Sequence, residues 1–294
     1  MKKLTLIILF MLLFIVPPVF AGGREYADTS IYLWQLINEA RARPLATIQS
    51  LGIDEEAARR ALGADAALLD GGLPPLAWDN HLAMAATGHS LDMVEKLYYS
   101  STGPDGSLPE DRVAAAGYRG AAVGEPLGAM AFSAFIEPEE AARLVFASWV
   151  RDELDPGRTA KRYLFSREMS EVGFVGAVLS LGEGIPTNVY VAVADFAAPL
   201  VPRFFIMGTV YEDIDGNGRL SAGESRSGVS FSCRVDGYPG VYDGKSGIAG
   251  VYQLPLVDGD YIIRLADEQG GATVVYRRNA LGVEENCLLD LRLR

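Results

Sequence analysis

The chain has 294 residues, 49% of them apolar, enough to bury a proper core and to build two domains. Its formal net charge of −12 argues against nucleic acid or anionic lipid as partners, because such a surface repels both, and it suits divalent cations. Only two cysteines are present, Cys233 and Cys287, so one disulfide at most can form.

The first residues read as an export leader. Met1-Lys2-Lys3 is basic, Leu4 to Val16 is a short apolar run, and Val19-Phe20-Ala21 offers a small-x-small cleavage site. The run is short for a membrane span, and an uncleaved anchor is the competing reading. Residues 1–21 are therefore expected to be a signal peptide, with no transmembrane segment left after cleavage. The protein would be exported, periplasmic or secreted, to a compartment where disulfides persist.

Thr29 to Arg43 predicts a helix with an apolar stripe of Leu33, Leu36, Ile37 and Ala40. Pro44 ends it or restarts it. Asp54 to Ala66 predicts a second helix, with acids in its first turn as the helix dipole prefers. The central stretch then runs from Leu73 to Glu125. In it Leu82, Ala85, Ala86, His89, Met93 and Leu97 recur at helical spacing. Thr102-Gly103-Pro104-Asp105-Gly106 breaks the helix with turn chemistry, and a short helix from Pro109 to about Ala116 returns toward Gly124-Glu125. A long helix, a sharp turn and a returning helix frame a cleft with Glu125 in it.

Pro138 to Asp152 predicts a strong helix, acids first and arginines later, and Arg158 to Ser166 a short one. From Glu171 the period changes to two: EVGFVGAVLSLG and TNVYVAVADFA predict antiparallel strands joined through Gly182 to Pro186. AAPLVP at residues 197–202 is a proline-marked linker, so the first domain should cover 28–200 and the second 204–294. The second is all β. FFIMGTVYED, GVSFSCRV, GVYQLPL, YIIRLA, ATVVYRR and CLLDLRLR predict six short strands, the size of a small Ig-like sandwich. Cys233 and Cys287 fall in two of them, where a bridge is expected.

The most specific motif lies between Asp213 and Glu224. Asp213, Asp215, Asn217, Ser221 and Glu224 take positions 1, 3, 5, 9 and 12 of a calcium loop, with Gly218 at position 6 and the Arg219 carbonyl at position 7. A hard cation needs about six or more oxygens, and this spacing supplies them. The flanks predict strands, so the loop is EF-hand-like on a β scaffold. A solvated acidic turn is the plainer alternative.

Several pieces of the first domain, taken in order, resemble the bacterial branch of the CAP superfamily, the relatives of cysteine-rich secretory, antigen-five and plant pathogenesis-related proteins. They are Leu73-Pro74-Pro75-Leu76-Ala77-Trp78, the Ala-Ala-x-x-His-Ser run from Ala85 to Ser90, Asp92-Met93, Thr102 to Gly106, Ala116-Gly117-Tyr118, Gly124-Glu125 and Ser148-Trp149. The resemblance implies an α-β-α sandwich with a central cleft, and so an α+β chain overall. It also implies a metal tetrad of two histidines and two acids. Here Ser101 stands where the first histidine is usual, and Asp155-Pro156-Gly157-Arg158 lacks the second. Glu125 keeps the first acid and Asp152 would be the second. Without those histidines a zinc site is not expected.

The second domain's Gly250-Val251-Tyr252-Gln253-Leu254 and Gly259-Asp260-Tyr261 resemble collagen-adhesin B-type and carboxypeptidase-regulatory-like modules. Its acidic loop resembles the calcium loops of serine-aspartate-repeat adhesins.

His89 reads in two ways: a buried core histidine, or a cleft residue paired with Glu125 or Ser101. Ser90 cannot form a dyad with it, since adjacent side chains on a helix point apart. No G-x-S-x-G nucleophile motif is present. The leading expectation is an exported, non-enzymatic protein whose cleft, with Glu125, Ser101, Asp152 and His89, binds a small or lipid-like ligand or a protein partner, beside a calcium-stabilised β-sandwich. A hydrolase acting through Glu125 and a structural cell-envelope protein are the alternatives.

Overall fold

The computed structural model describes residues 24–132, 136–181, 187–221, 223–266 and 272–293. The expected leader and the 182–186 hairpin turn lie outside them. The chain begins with α1 (Arg24–Ala42), five residues earlier than its apolar stripe predicts. Pro44 restarts the helix: α2 (Pro44–Ser50) carries it at N1, where its missing N–H costs nothing. Then come α3 (Glu55–Leu62), whose Asp54 cap accepts from Ala57 N, and one short turn, α4 (Leu68–Gly71).

The first sheet is built from β1 (Ala77–Trp78), β2 (Gly120–Gly124), β3 (Leu127–Phe132), β4 (Glu171–Leu181) and β5 (Thr187–Pro199). Its order is β1-β4-β5-β2, with β3 also on β5. The long β4–β5 pair is antiparallel, as its alternation predicts. Strand residues point alternately to two covered faces. Tyr190, Ala192, Ala194 and Phe196 join a core with α1 and α7 (Pro138–Glu153). Val191, Val193 and Ala197 instead meet α5 (Asn80–Lys96), through Ala86, Met93, Leu82 and Ala85. Gly173 on β4 lets that helix in: a Cβ there would lie 2.0 Å from the Ala83 nitrogen. The first half is thus helix, sheet, helix.

The segment Arg158 to Ser166 is not helical, contrary to its pattern. Its backbone is satisfied from outside. Glu153 accepts the N–H groups of Tyr163, Leu164 and Phe165 at 2.6–3.1 Å. The fully buried Arg41 donates to the carbonyls of Pro74, Leu164, Ser166 and Met169.

Beyond Pro199, β6 (Phe205–Glu212) pairs with β9 (Val251–Pro255) on one side. On the other it pairs with β12 (Cys287–Leu288) and then β13 (Leu291–Leu293). A second sheet has the order β11-β10-β7-β8: β7 (Ser230–Val235), β8 (Tyr242–Lys245), β10 (Asp260–Ala266) and β11 (Ala272–Asn279). Of these, β8 is a strand the pattern did not reveal. The two sheets share one apolar core, which includes Val210, Tyr252, Ile263 and Leu291.

The expected disulfide is not formed. Cys233 and Cys287 are buried free thiols in that core, on strands of different sheets. The Cys287 sulfur turns instead to the Glu285 carbonyl and the Arg278 guanidinium.

Candidate functional site

α5 starts where Asp79 caps it, accepting from His81 N and Leu82 N at 2.8 and 3.2 Å. It ends at Leu97, forced into the left-handed region at φ 54°. The chain then turns through Ser100 to Ser107. Gly106 takes φ 85°, and Gly103 N donates to the Ser107 carbonyl at 2.8 Å. α6 (Pro109–Ala115) leads the chain back beside α5.

These elements bring His89, Arg112 and Glu125 together. His89 Nδ1–H donates to Glu125 Oε2 at 2.9 Å, the tautomer that a carboxylate acceptor demands. Arg112 Nη2 donates to the same oxygen at 2.8 Å and to the Ser101 carbonyl at 2.8 Å. Arg112 Nη1 donates to the Ser107 carbonyl at 3.0 Å. One guanidinium therefore ties the turn to the glutamate. The side chains of Glu125 and His89 are 0% and 1% exposed, so the histidine is a buried residue and also Glu125's partner.

A fourth group lies close by. Asp195 on β5 faces α5, between Val193 and Ala197, and is wholly buried. Burial pushes its carboxyl well above the usual carboxylate range, and the nearby Glu125 charge pushes the same way, while Arg112 opposes them. Among the described residues, neither Asp195 oxygen has a hydrogen-bond partner, and neither do Glu125 Oε1 and His89 Nε2.

Two sequence candidates fall elsewhere. Asp152 is exposed at the end of α7 and pairs with Arg158, away from the cluster's hydrogen bonds among the described residues. Ser101 takes part only through its backbone carbonyl. Arg112 and Asp195 were missed. A lone acid inside the apolar run VYVAVADFA was the available signal for Asp195. Arg112, in the acidic helix PEDRVAA, carried none.

The turn carries apolar groups outward. Leu97 is 83% exposed, and Tyr99 and Leu108 are exposed beside it. Trp78 and Trp149 are packing residues: their indole N–H groups are bonded to Asn80 Oδ1 and the Leu127 carbonyl. His81 is half exposed, 3.3 Å from Asp79.

In the second half, Asp213, Asp215 and Glu224 place ligand oxygens within 4.8 Å of one another. Glu224 Oε1 accepts from Ile214 N and Asp215 N, and Oε2 from Ser221 N. Asp215 receives Asn217 and Ser221, so the residues singled out by spacing form one interlinked turn. Gly216 and Gly218 take φ 73° and 75°, which only glycine adopts freely. Asp213 Oδ1 is buried and without a hydrogen-bond partner.

The family model described as CAP, cysteine-rich secretory protein family, matches residues 34–193. No curated protein matches the chain. Among solved structures, an extracellular protein containing an SCP domain from Bacillus anthracis is 18% identical. That match covers 62% of this chain and 44% of the Bacillus protein, with a TM-score of 0.35. An outer surface protein from Borrelia burgdorferi is 17% identical, over 59% of this chain and 93% of its own, with a TM-score of 0.36. This chain thus matches less than half the length of the Bacillus protein.

Proposed function

We propose that this chain, which belongs to the CAP or cysteine-rich secretory protein family, acts outside the cytoplasm as a binding protein and not as an enzyme. One observation carries the reading. Glu125, the acid that the family resemblance assigns to a metal, has its charge met inside the protein by Arg112, and His89 shares the same oxygen through a hydrogen bond. A guanidinium at 2.8 Å supplies the positive charge that an ion would otherwise bring. Ser101 stands where the resemblance puts the first histidine, and Asp155-Pro156-Gly157-Arg158 lacks the second, so the residues present do not fit zinc. A nucleophile would also need access, and the carboxylate is sealed.

The first domain, 28–200, binds a small or lipid-like ligand or a protein partner. The exposed Leu97, Tyr99 and Leu108 on the turn braced by Arg112 favour an apolar contact there. The second domain, 204–294, is a sandwich-like module stabilised by calcium. Asp213, Asp215 and Glu224 would hold the ion, helped by Asn217, Ser221 and the Arg219 carbonyl, and the unpartnered Asp213 Oδ1 fits that role. Calcium would supply charge and oxygen cross-links to the loop, and no chemistry.

The test is hydrolysis. The purified protein, with zinc or manganese added, is incubated with denatured protein and with nucleic acid. No turnover is expected. Turnover abolished by Glu125→Ala in a folded variant would overturn the reading.

A further inference from the structure

The acidic loop has an internal cation beside it. Arg292 lies on β13 opposite Tyr211, so the ladder fixes its backbone next to the end of β6, where the loop begins. Its Nη1 lies 3.0 Å from Asp213 Oδ2. That oxygen also accepts from Gly218 N at 3.0 Å. The Asp213 side chain is 1% exposed, and its other oxygen, Oδ1, is buried and free to take a ligand. Asp213 thus divides its work: Oδ2 holds the turn and the arginine, and Oδ1 is available to a cation.

We propose that Arg292 sets the affinity of this loop for a hard divalent cation and keeps it weak. This rests on the reading of Asp213, Asp215 and Glu224 as a calcium site. The reason is charge count. Three carboxylates face the ion, and one guanidinium cancels a third of their charge. Loops of this spacing are graded from tight intracellular buffers to weak extracellular modules by ligand charge and rigidity. A doubly charged ion a few ångströms from a fixed guanidinium is repelled enough to lose about tenfold in affinity, even at the dielectric of water. The loop would stay unloaded at cytoplasmic calcium and fill outside the cell, where loading stabilises the folded form by mass action.

Calcium chloride is titrated calorimetrically into the purified protein and into Arg292→Gln, Arg292→Lys and Asp213→Asn, each checked for fold by circular dichroism. The wild type should bind with a dissociation constant of about 0.1–1 mM. Arg292→Gln should bind about tenfold tighter, Arg292→Lys should stay within about threefold of wild type, and Asp213→Asn should not bind. Binding by Arg292→Gln alone would support the proposal in its strongest form. Equal affinities for wild type and Arg292→Gln would overturn it and leave the calcium site standing. So would an Arg292→Lys as tight as Arg292→Gln. Silence from all four proteins would remove the site itself, and the proposal with it.

Discussion

Asp195 is the residue with the most to reveal about the buried cluster. Its carboxyl is raised by burial first and by the Glu125 charge second. A raised carboxyl holds its proton more tightly in the folded chain than in the unfolded one, whose value is about 3.9. Its contribution to stability is therefore full below that value and is lost as the pH rises through the folded value. Asp195→Asn keeps a neutral side chain at every pH. Urea unfolding at pH 4.5 and 8 should show the variant gaining on wild type as the pH rises. A difference independent of pH would mean that Asp195 titrates normally. Glu125 was legible in the sequence because Gly-Glu follows a β-prone run after a turn. Its partners were not. Arg112 is 13 residues away and reaches Glu125 only because α6 folds back. Asp195 is brought to it by strand pairing, with Gly124 opposite Phe196. The grouping of Asp213, Asp215 and Glu224 in one turn was legible, since its spacing is local. Arg292, which arrives from β13, was not.

At the scale of elements, the segment after α7 shows why a helical pattern can fail. Arg158 to Ser166 has helix-compatible residues, but Glu153 takes three of its backbone donors and Arg41 takes two of its carbonyls. Both side chains are buried, and burial lowers the Arg41 guanidinium to about 9 and raises Glu153. Arg41→Met would leave the carbonyls of Pro74, Leu164, Ser166 and Met169 without their donor. The expected cost is about 3–5 kcal/mol. It should appear in urea unfolding and as new trypsin cleavage at Lys161 or Arg162. A variant as stable and as resistant as wild type would contradict this account of the segment. The periodic elements α5, α7, β4 and β5 were all legible, because each buries a face at its own period. The short strand β8 was not, because YDGK has no apolar alternation to show.

At the scale of the molecule, the two halves are joined by more than a linker. Phe205 and Met207 of β6 belong to the core of the first half. Gln253 pairs through its amide with the N–H and carbonyl of Trp78, capping the exposed edge at β1. Asn286 donates to the carbonyls of Pro75 and Ser170, and Gln35 to Thr209. Arg203 reaches from the linker to Glu171 and Asp79 at 2.5 and 2.7 Å. A calorimetric scan should therefore show one unfolding transition, and two separated transitions would mean independent halves. The prolines of AAPLVP read as a linker, but Ala197, Ala198 and Pro199 end β5 and pair with β2; the contacts between the halves were not legible, since each joins residues more than a hundred positions apart or rests on a single polar side chain. The charge of Glu125 is met by the protein's own Arg112, with His89 as a second hydrogen-bond partner. This is tested most directly by loading the purified protein and Glu125→Ala with zinc, dialysing both, and measuring the metal that remains. The same small amount of zinc is expected in each. One equivalent of zinc retained by the wild type and lost in Glu125→Ala would contradict it.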